Sequence, residues 1–212
     1  MDFLKQLYSF AATPIPHQVL ASMFKGYKNP NEKIHDLLEN GTLVSLKRGL
    51  YMIGTSFNKS QLPRELVANH LMGPSYISLD YALAIHRLIP EQVFEISSMT
   101  TKATREFDTP LGKFTFTHLP LPYYSFGITT EVLSSDQQYL LASPAKALCD
   151  KIITTPQCNF RSKKEVNDFL ISDLRIEKES WNKIDLFAIQ SWLSCAPKKN
   201  SLSFLVKTIQ SQ

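Results

Sequence analysis

The stretch NPNEKIHDLLENGTLVSLKRGLYMIG, residues 29–54, constrains the fold more than any other, because it reads as a short capped helix running straight into a tight hairpin. Asn29 suits the N-cap, Pro30 the first helical position, where no N–H is needed, and Glu32 the third, from which a carboxylate reaches back in an Asn-led capping box. Ile34, Leu37 and Leu38 fall on one face at helical spacing, and Asn40-Gly41 supplies a left-handed stop. Two β-prone runs follow, Thr42 to Leu46 and Leu50 to Ile53, joined by Lys47-Arg48-Gly49 with Gly where φ must be positive. Two cations stand at the tip. This is the helix-plus-wing half of a winged-helix module.

The preceding segment completes the trio. Phe3, Leu4, Leu7, Tyr8 and Ala11 mark one amphipathic helix, and Val19, Leu20, Met23 and Phe24 a second, with Pro14 and Pro16 between them and Gly26 after. Helices this short do not persist alone, so the three must pack on each other and on the hairpin. Residues 1–58 are thus expected to form a winged helix-turn-helix domain. In such a domain the helix after the turn enters the major groove by its N-terminal end, while the wing tip meets the backbone. Lys25, Lys28, Asn29, Asn31, Lys33, Lys47 and Arg48 are the expected DNA contacts. The face opposite Ile34 carries Glu32, Asp36 and Glu39, which phosphates repel, so docking is expected end-on, with Asn29 and Asn31 near base edges and lysines on the backbone. The alternative is a protein-interaction module that uses the winged helix to dock a partner rather than DNA.

Of the 212 residues, 43% are hydrophobic and 20% charged, the balance of a globular protein rather than a disordered or fibrous one. The formal charge of +4 is unevenly spread: net +3 over residues 1–60, −3 over 61–150 and +4 over 151–212. A basic opening fits nucleic acid. Cys149, Cys158 and Cys195 are odd in number and widely spaced, which argues against a disulfide framework or a zinc site. No apolar run approaches a membrane span, and Gln6, Ser9 and Pro14 interrupt any signal-peptide pattern, so a cytoplasmic protein without membrane association is expected.

A polar connector, Thr55 to Gln61, separates the first unit from a second, residues 62–212. After a helix that stops at Gly73-Pro74, Tyr76 to His86 reads as a buried helix capped by Ser78. Val93 to Ser98, Thr104 to Phe107, Lys113 to His118 and Gly127 to Leu133 read as strands, antiparallel because their connections are short. Ser143-Pro144 opens another helix, and the chain is helical from Lys163 onward. The fold class expected is α+β: a winged helix-turn-helix, then a mixed α/β domain with an antiparallel sheet and a helical C-terminal part. Motifs for nucleotide, hydrolase or metalloprotease chemistry are absent from the sequence. The best catalytic set is Cys149 with His70, His86 or His118 as base, yet Cys149 on an amphipathic helix reads better as a small buried hydrophobe, His86 as a hydrogen-bonded core histidine, and Trp181 and Trp192 as core. No enzyme activity, cofactor or metal is expected.

Three phrases stand in order along the chain: Leu46-Lys47-Arg48-Gly49-Leu50-Tyr51, then Tyr76-Ile77-Ser78-Leu79-Asp80-Tyr81-Ala82-Leu83-Ala84-Ile85-His86, then Ala142-Ser143-Pro144-Ala145-Lys146-Ala147-Leu148-Cys149-Asp150-Lys151. Over roughly residues 1–155 the chain resembles the AbiEi family of abortive-infection antitoxins, also described as predicted transcriptional regulators of viral defence. The resemblance implies an N-terminal winged helix that binds inverted repeats in double-stranded operator DNA and represses its own operon. It implies a C-terminal domain needed for type IV antitoxin activity, and a neighbouring nucleotidyltransferase-like toxin neutralised without stable direct contact. Only Lys47, Arg48 and the start of the third helix map onto the family's DNA-contacting elements. A homodimer matches the symmetry of such operators, and a monomer binding two repeats cooperatively fits them equally.

Overall fold

The computed structural model describes residues 3–55 and 62–211; most of the polar connector, and with it the boundary between the two expected domains, lies outside the described residues. The first unit runs α1 (Phe3–Tyr8), β1 (Ile15–Pro16), α2 (His17–Met23), α3 (Pro30–Glu39), β2 (Leu43–Lys47) and β3 (Leu50–Ile53). Its strands form an antiparallel sheet in the order β1-β3-β2. None of the three helices exceeds ten residues, so each depends on the core made by Leu7, Ile15, Leu20, Phe24, Ile34, Leu43 and Ile53. Leu4 lies in α1, though its side chain is outside the described set.

Three local expectations change in detail. Ile15-Pro16, read as a spacer between helices, is a strand at the sheet edge, where a residue without an N–H is tolerated. Asn29 occupies the N-cap of α3 but its side chain makes no capping hydrogen bond. Lys47 pairs with Leu50, so the wing loop is Arg48-Gly49 alone, and a bulge between Ser45 and Lys47 takes up the residue assigned to the loop. Gly49 has φ +81° as that loop requires. Gly54 leaves β3 so close to Gly41 that an added Cβ would lie 1.9 Å from the Gly41 carbonyl oxygen.

The second unit runs α4 (Arg64–Leu71), β4 (Ser75–Ile77), α5 (Leu79–Ile85), β5 (Ile96–Thr100), β6 (Arg105–Thr109), β7 (Gly112–His118), β8 (Ile128–Ser134), β9 (Gln137–Ala142), α6 (Pro144–Thr154), α7 (Lys163–Asn167), α8 (Leu186–Trp192) and α9 (Lys199–Gln210). A π-helical turn, Asp168–Asp173, and a short 3-10 helix, Lys178–Lys183, lie between α7 and α8. The α+β class holds. The sheet, ordered β6-β7-β5-β4-β9-β8, is however mixed rather than antiparallel: β5 with β7 and β4 with β9 are parallel. The short connection does make an antiparallel hairpin of β6-β7, but β6 takes the edge and β7 returns between it and β5; β8 pairs antiparallel with β9, a strand that the sequence reading does not include. Tyr76-Ile77 belong to β4, not to the helix that follows.

The wing has two inward faces. Leu43 and Ile53 join the core of the first unit, whereas Leu46, Leu50 and Met52 join the core of the second. The hairpin is therefore a wall shared by both cores.

Candidate nucleic-acid interface

The turn between α2 and α3 and the first turn of α3 place Lys25, Lys28, Asn29, Asn31 and Lys33 at the surface, all exposed. Tyr27, Lys28, Asn29, Glu32, Lys33 and Asp36 line an open groove there. The unpaired N–H groups and positive dipole end of α3 favour an anion at this end. Further along, the carboxylates take over. Lys33 Nζ donates to Asp36 Oδ2 at 3.0 Å, and that hydrogen bond, with the Coulomb attraction behind it, raises the Lys33 pKa. His35 Nε2 lies 3.7 Å from Glu39 Oε1. Glu32, Asp36 and Glu39 are all exposed, so only the N-terminal end of the helix is electrostatically suited to phosphate.

The two wing cations part company. Arg48 is exposed at the tip. Lys47 turns the other way: its ammonium donates to the Leu71 carbonyl at the end of α4 and sits 5.7 Å from the centre of the Phe107 ring on β6. Burial lowers its pKa, and repulsion from Arg105 and Lys102 adds to that. Lys47 thus joins the wing to the second unit while keeping part of its surface exposed. Lys102 and Arg105 stand exposed beside it.

In the second unit, chemistry concentrates inside. Asp150 on α6 accepts from the hydroxyls of Tyr76 at 2.9 Å, Ser78 at 2.8 Å and Tyr123 at 3.0 Å, and pairs with Lys146 at 3.1 Å. Lys146 also donates to the Tyr123 carbonyl at 3.0 Å. Ser78 stands at the N-cap of α5 but spends its hydroxyl on Asp150 rather than on the helix. The second and third sequence phrases therefore meet in one cluster with no access to solvent. Gly127 opposes it closely: with φ +63°, a Cβ there would lie 2.7 Å from Lys146 Cβ.

Cys149 is fully buried, and burial first, with Asp150 adding, pushes its thiol pKa far up, the opposite of an activated nucleophile. His86 Nε2 contacts the Ala142 carbonyl oxygen at 2.7 Å and His118 Nδ1 that of Lys102 at 3.2 Å. Trp181 and Trp192 are buried. Among the described residues no group of His, Cys, Asp or Glu is placed to hold a metal ion, and no helix is long and apolar enough to cross a membrane.

No family model matches the chain and no curated protein is similar to it in sequence. A solved structure does share its fold. The crystal structure of the RV2827C protein from Mycobacterium tuberculosis superposes with a TM-score of 0.60 over 97% of this chain and 76% of that one, at 12% identity. A likeness at that identity is a likeness of architecture.

Proposed function

We propose that this chain is a DNA-binding transcriptional autorepressor and the antitoxin of a type IV, abortive-infection toxin–antitoxin pair. The observation that carries the DNA-binding part is the arrangement of the first unit. Three helices and a winged hairpin leave the N-terminal turn of α3, with Lys28, Asn29 and Asn31, and the wing tip, Arg48, exposed. The antitoxin part is supported by the three ordered phrases that resemble AbiEi proteins. On this reading the chain acts in the cytoplasm without enzymatic activity, binds inverted repeats upstream of its own gene, and counters a neighbouring nucleotidyltransferase-like toxin without a stable complex.

Retardation of a duplex from upstream of the gene, compared with an unrelated duplex, tests the first part. Selective binding that weakens steeply with salt is expected, and no binding at low salt refutes it. Growth rescue on coexpression with the product of the adjacent gene tests the second. A toxin that is not relieved refutes it.

One observation favours a second reading, in which the winged helix docks a protein. The exposed length of α3 presents Glu32, Asp36 and Glu39, and Asp36 already engages Lys33. A stoichiometric partner that stays bound after nuclease treatment would support it.

A further inference from the structure

The two edges of the larger sheet are built differently. β6 forms one edge, with Arg105, Glu106 and Asp108 among its five residues, and Lys47 of the wing lies over its Phe107 ring, 5.7 Å from the centre. β8 forms the other edge, and Ile128–Ser134 contains neither lysine nor proline and a single charge, Glu131. Every residue from Thr129 to Ser134 is exposed, Val132 at 72%. Natural sheets blunt a free edge with charge, proline, a bulge or a covering element. On β8 the bulge falls between Val132 and Ser134, past the regular part of the strand, and among the described residues no strand pairs with its outer side.

The ladder with β9 determines which backbone groups are free. The Ser143 N–H donates to the Gly127 carbonyl at 2.8 Å, and hydrogen-bonded pairs recur at every second residue of an antiparallel ladder. Thr129 with Leu141 and Glu131 with Tyr139 are therefore the bonded pairs, whereas Ile128, Thr130 and Val132 turn their N–H and C=O groups outward. β9 agrees: Leu140, opposite Thr130, sends its N–H away from β8 to Asn69 Oδ1 at 2.7 Å. The same alternation puts the side chains of Ile128, Thr130 and Val132 on one face with exposed Leu140, and Glu131 on the other.

We propose that β8 pairs with β8 of a second copy of this chain, antiparallel and centred on Thr130, so that two sheets join across a two-fold axis. This register engages the whole regular stretch: Ile128 bonds to Val132 of the second copy, Thr130 to Thr130 and Val132 to Ile128. Isoleucine meets valine on the face that Leu140 extends, and Glu131 meets Thr129. The neighbouring registers are worse. Centring on Glu131 sets two carboxylates directly opposite at the closer, non-hydrogen-bonded spacing. Centring on Val132 draws the bulge into the new ladder, and centring on Thr129 runs it into Gly127, whose φ is +63°. The assembly stops at two, because the edge left on each copy is the charged β6. A foreign strand would meet the same backbone groups, but the self-matched register favours a second copy. The pairing needs no DNA and stands whether or not the first unit binds one.

The test is the mass of the full chain by light scattering over a concentration series, without DNA. Particles of two chains are expected at the upper end. Thr130→Lys sets two ammonium groups opposite each other across the axis and should reduce the mass to that of one chain, with circular dichroism unchanged because Thr130 is exposed. Thr130→Cys should give a disulfide-linked dimer on mild oxidation, since a self-opposed hydrogen-bonded pair has Cα atoms about 5.5 Å apart, a span that a disulfide bridges. Glu131→Cys, diagonal to its own copy, should link far less, and the parent with its native thiols gives the background. A parent that stays a single chain at every concentration overturns the pairing, as does a dimer that Thr130→Lys leaves intact or equal linking of the two cysteine variants. A copurifying foreign protein that Thr130→Lys releases from an otherwise single chain also overturns it.

Discussion

Lys146 and Asp150 meet one turn apart on α6, Nζ to Oδ1 3.1 Å, and neither side chain retains any exposed surface. Burial drives the two in opposite directions, Asp150 up and Lys146 down, while each holds the other toward its ionised form. Three hydroxyls complete the carboxylate's partners, from β4, from the start of α5 and from the turn after β7. The cluster ties α6 to the centre of the sheet. Removing one partner strands the other charge in the core, so Asp150→Leu or Lys146→Met alone should cost about 3–5 kcal/mol in urea denaturation. The double substitution should recover only part of that, because the Tyr76, Ser78 and Tyr123 hydroxyls stay behind without their acceptor.

Lys47 carries a prediction with a pH signature. Its folded pKa lies below 10.5, from burial first and then from the neighbouring Arg105 and Lys102. The unfolded chain therefore holds more protons than the folded one in the window between that lowered value and 10.5, and stability from this group rises with pH there. Lys47→Met should remove that rise, read as denaturation midpoints at two alkaline pH values. It should cost on the order of 1 kcal/mol at neutral pH through the lost bond to Leu71. Its effect on the salt slope of DNA binding should be far smaller than that of Arg48→Ala, in a side-by-side retardation series.

Asp36 offers a sign test on the helix face. Asp36→Asn releases Lys33 and removes a carboxylate from the groove at the end of α3. On the DNA-binding reading, affinity for the upstream duplex should rise several-fold and the salt slope steepen by up to about one unit. A fall in affinity would mean that the acidic face takes part in recognition.

Gly54 is required by contact. The Cβ of Gly54→Ala would fall on the Gly41 carbonyl, a backbone atom at 1.9 Å that cannot swing away as a side chain can. A loss of about 2–3 kcal/mol is expected from such overpacking. Calorimetry on the variant checks it.

The three thiols should separate by access. Cys149 and Cys158 are buried, whereas Cys195 is half-exposed and donates to the Trp192 carbonyl at 3.2 Å. A thiol reagent should modify Cys195 first, with Cys149 reacting only on denaturation. Cys149→Ala with full biological protection is the matching genetic result, and lost protection with an intact fold would reopen catalysis.

What could be read from the chain alone divides along physical lines. α3 and the wing were legible because a proline, a glycine and helical periodicity fall in register, and α6 because Ser143 and Pro144 mark its start; Ser143 Oγ does accept from the Lys146 N–H at 3.2 Å. β1 and β4 were not, since two or three residues carry no period, and Tyr76-Ile77 run unbroken into an apolar helix. The parallel pairings of β4 and β5 depend on partners far along the chain, which local connections cannot reveal. At the candidate interface, the exposure of Lys28, Asn29, Asn31 and Arg48 follows from the motif. The inward turn of Lys47 does not, because it is set by Leu71 and Phe107 in the other unit.

The most direct test of the central claim is the salt dependence of binding between the full chain and the duplex upstream of its gene. Tight, sequence-selective binding is expected, with a steep slope that flattens by about one unit in Arg48→Ala. Absence of binding at low salt, or binding indifferent to both salt and Arg48, would contradict the claim.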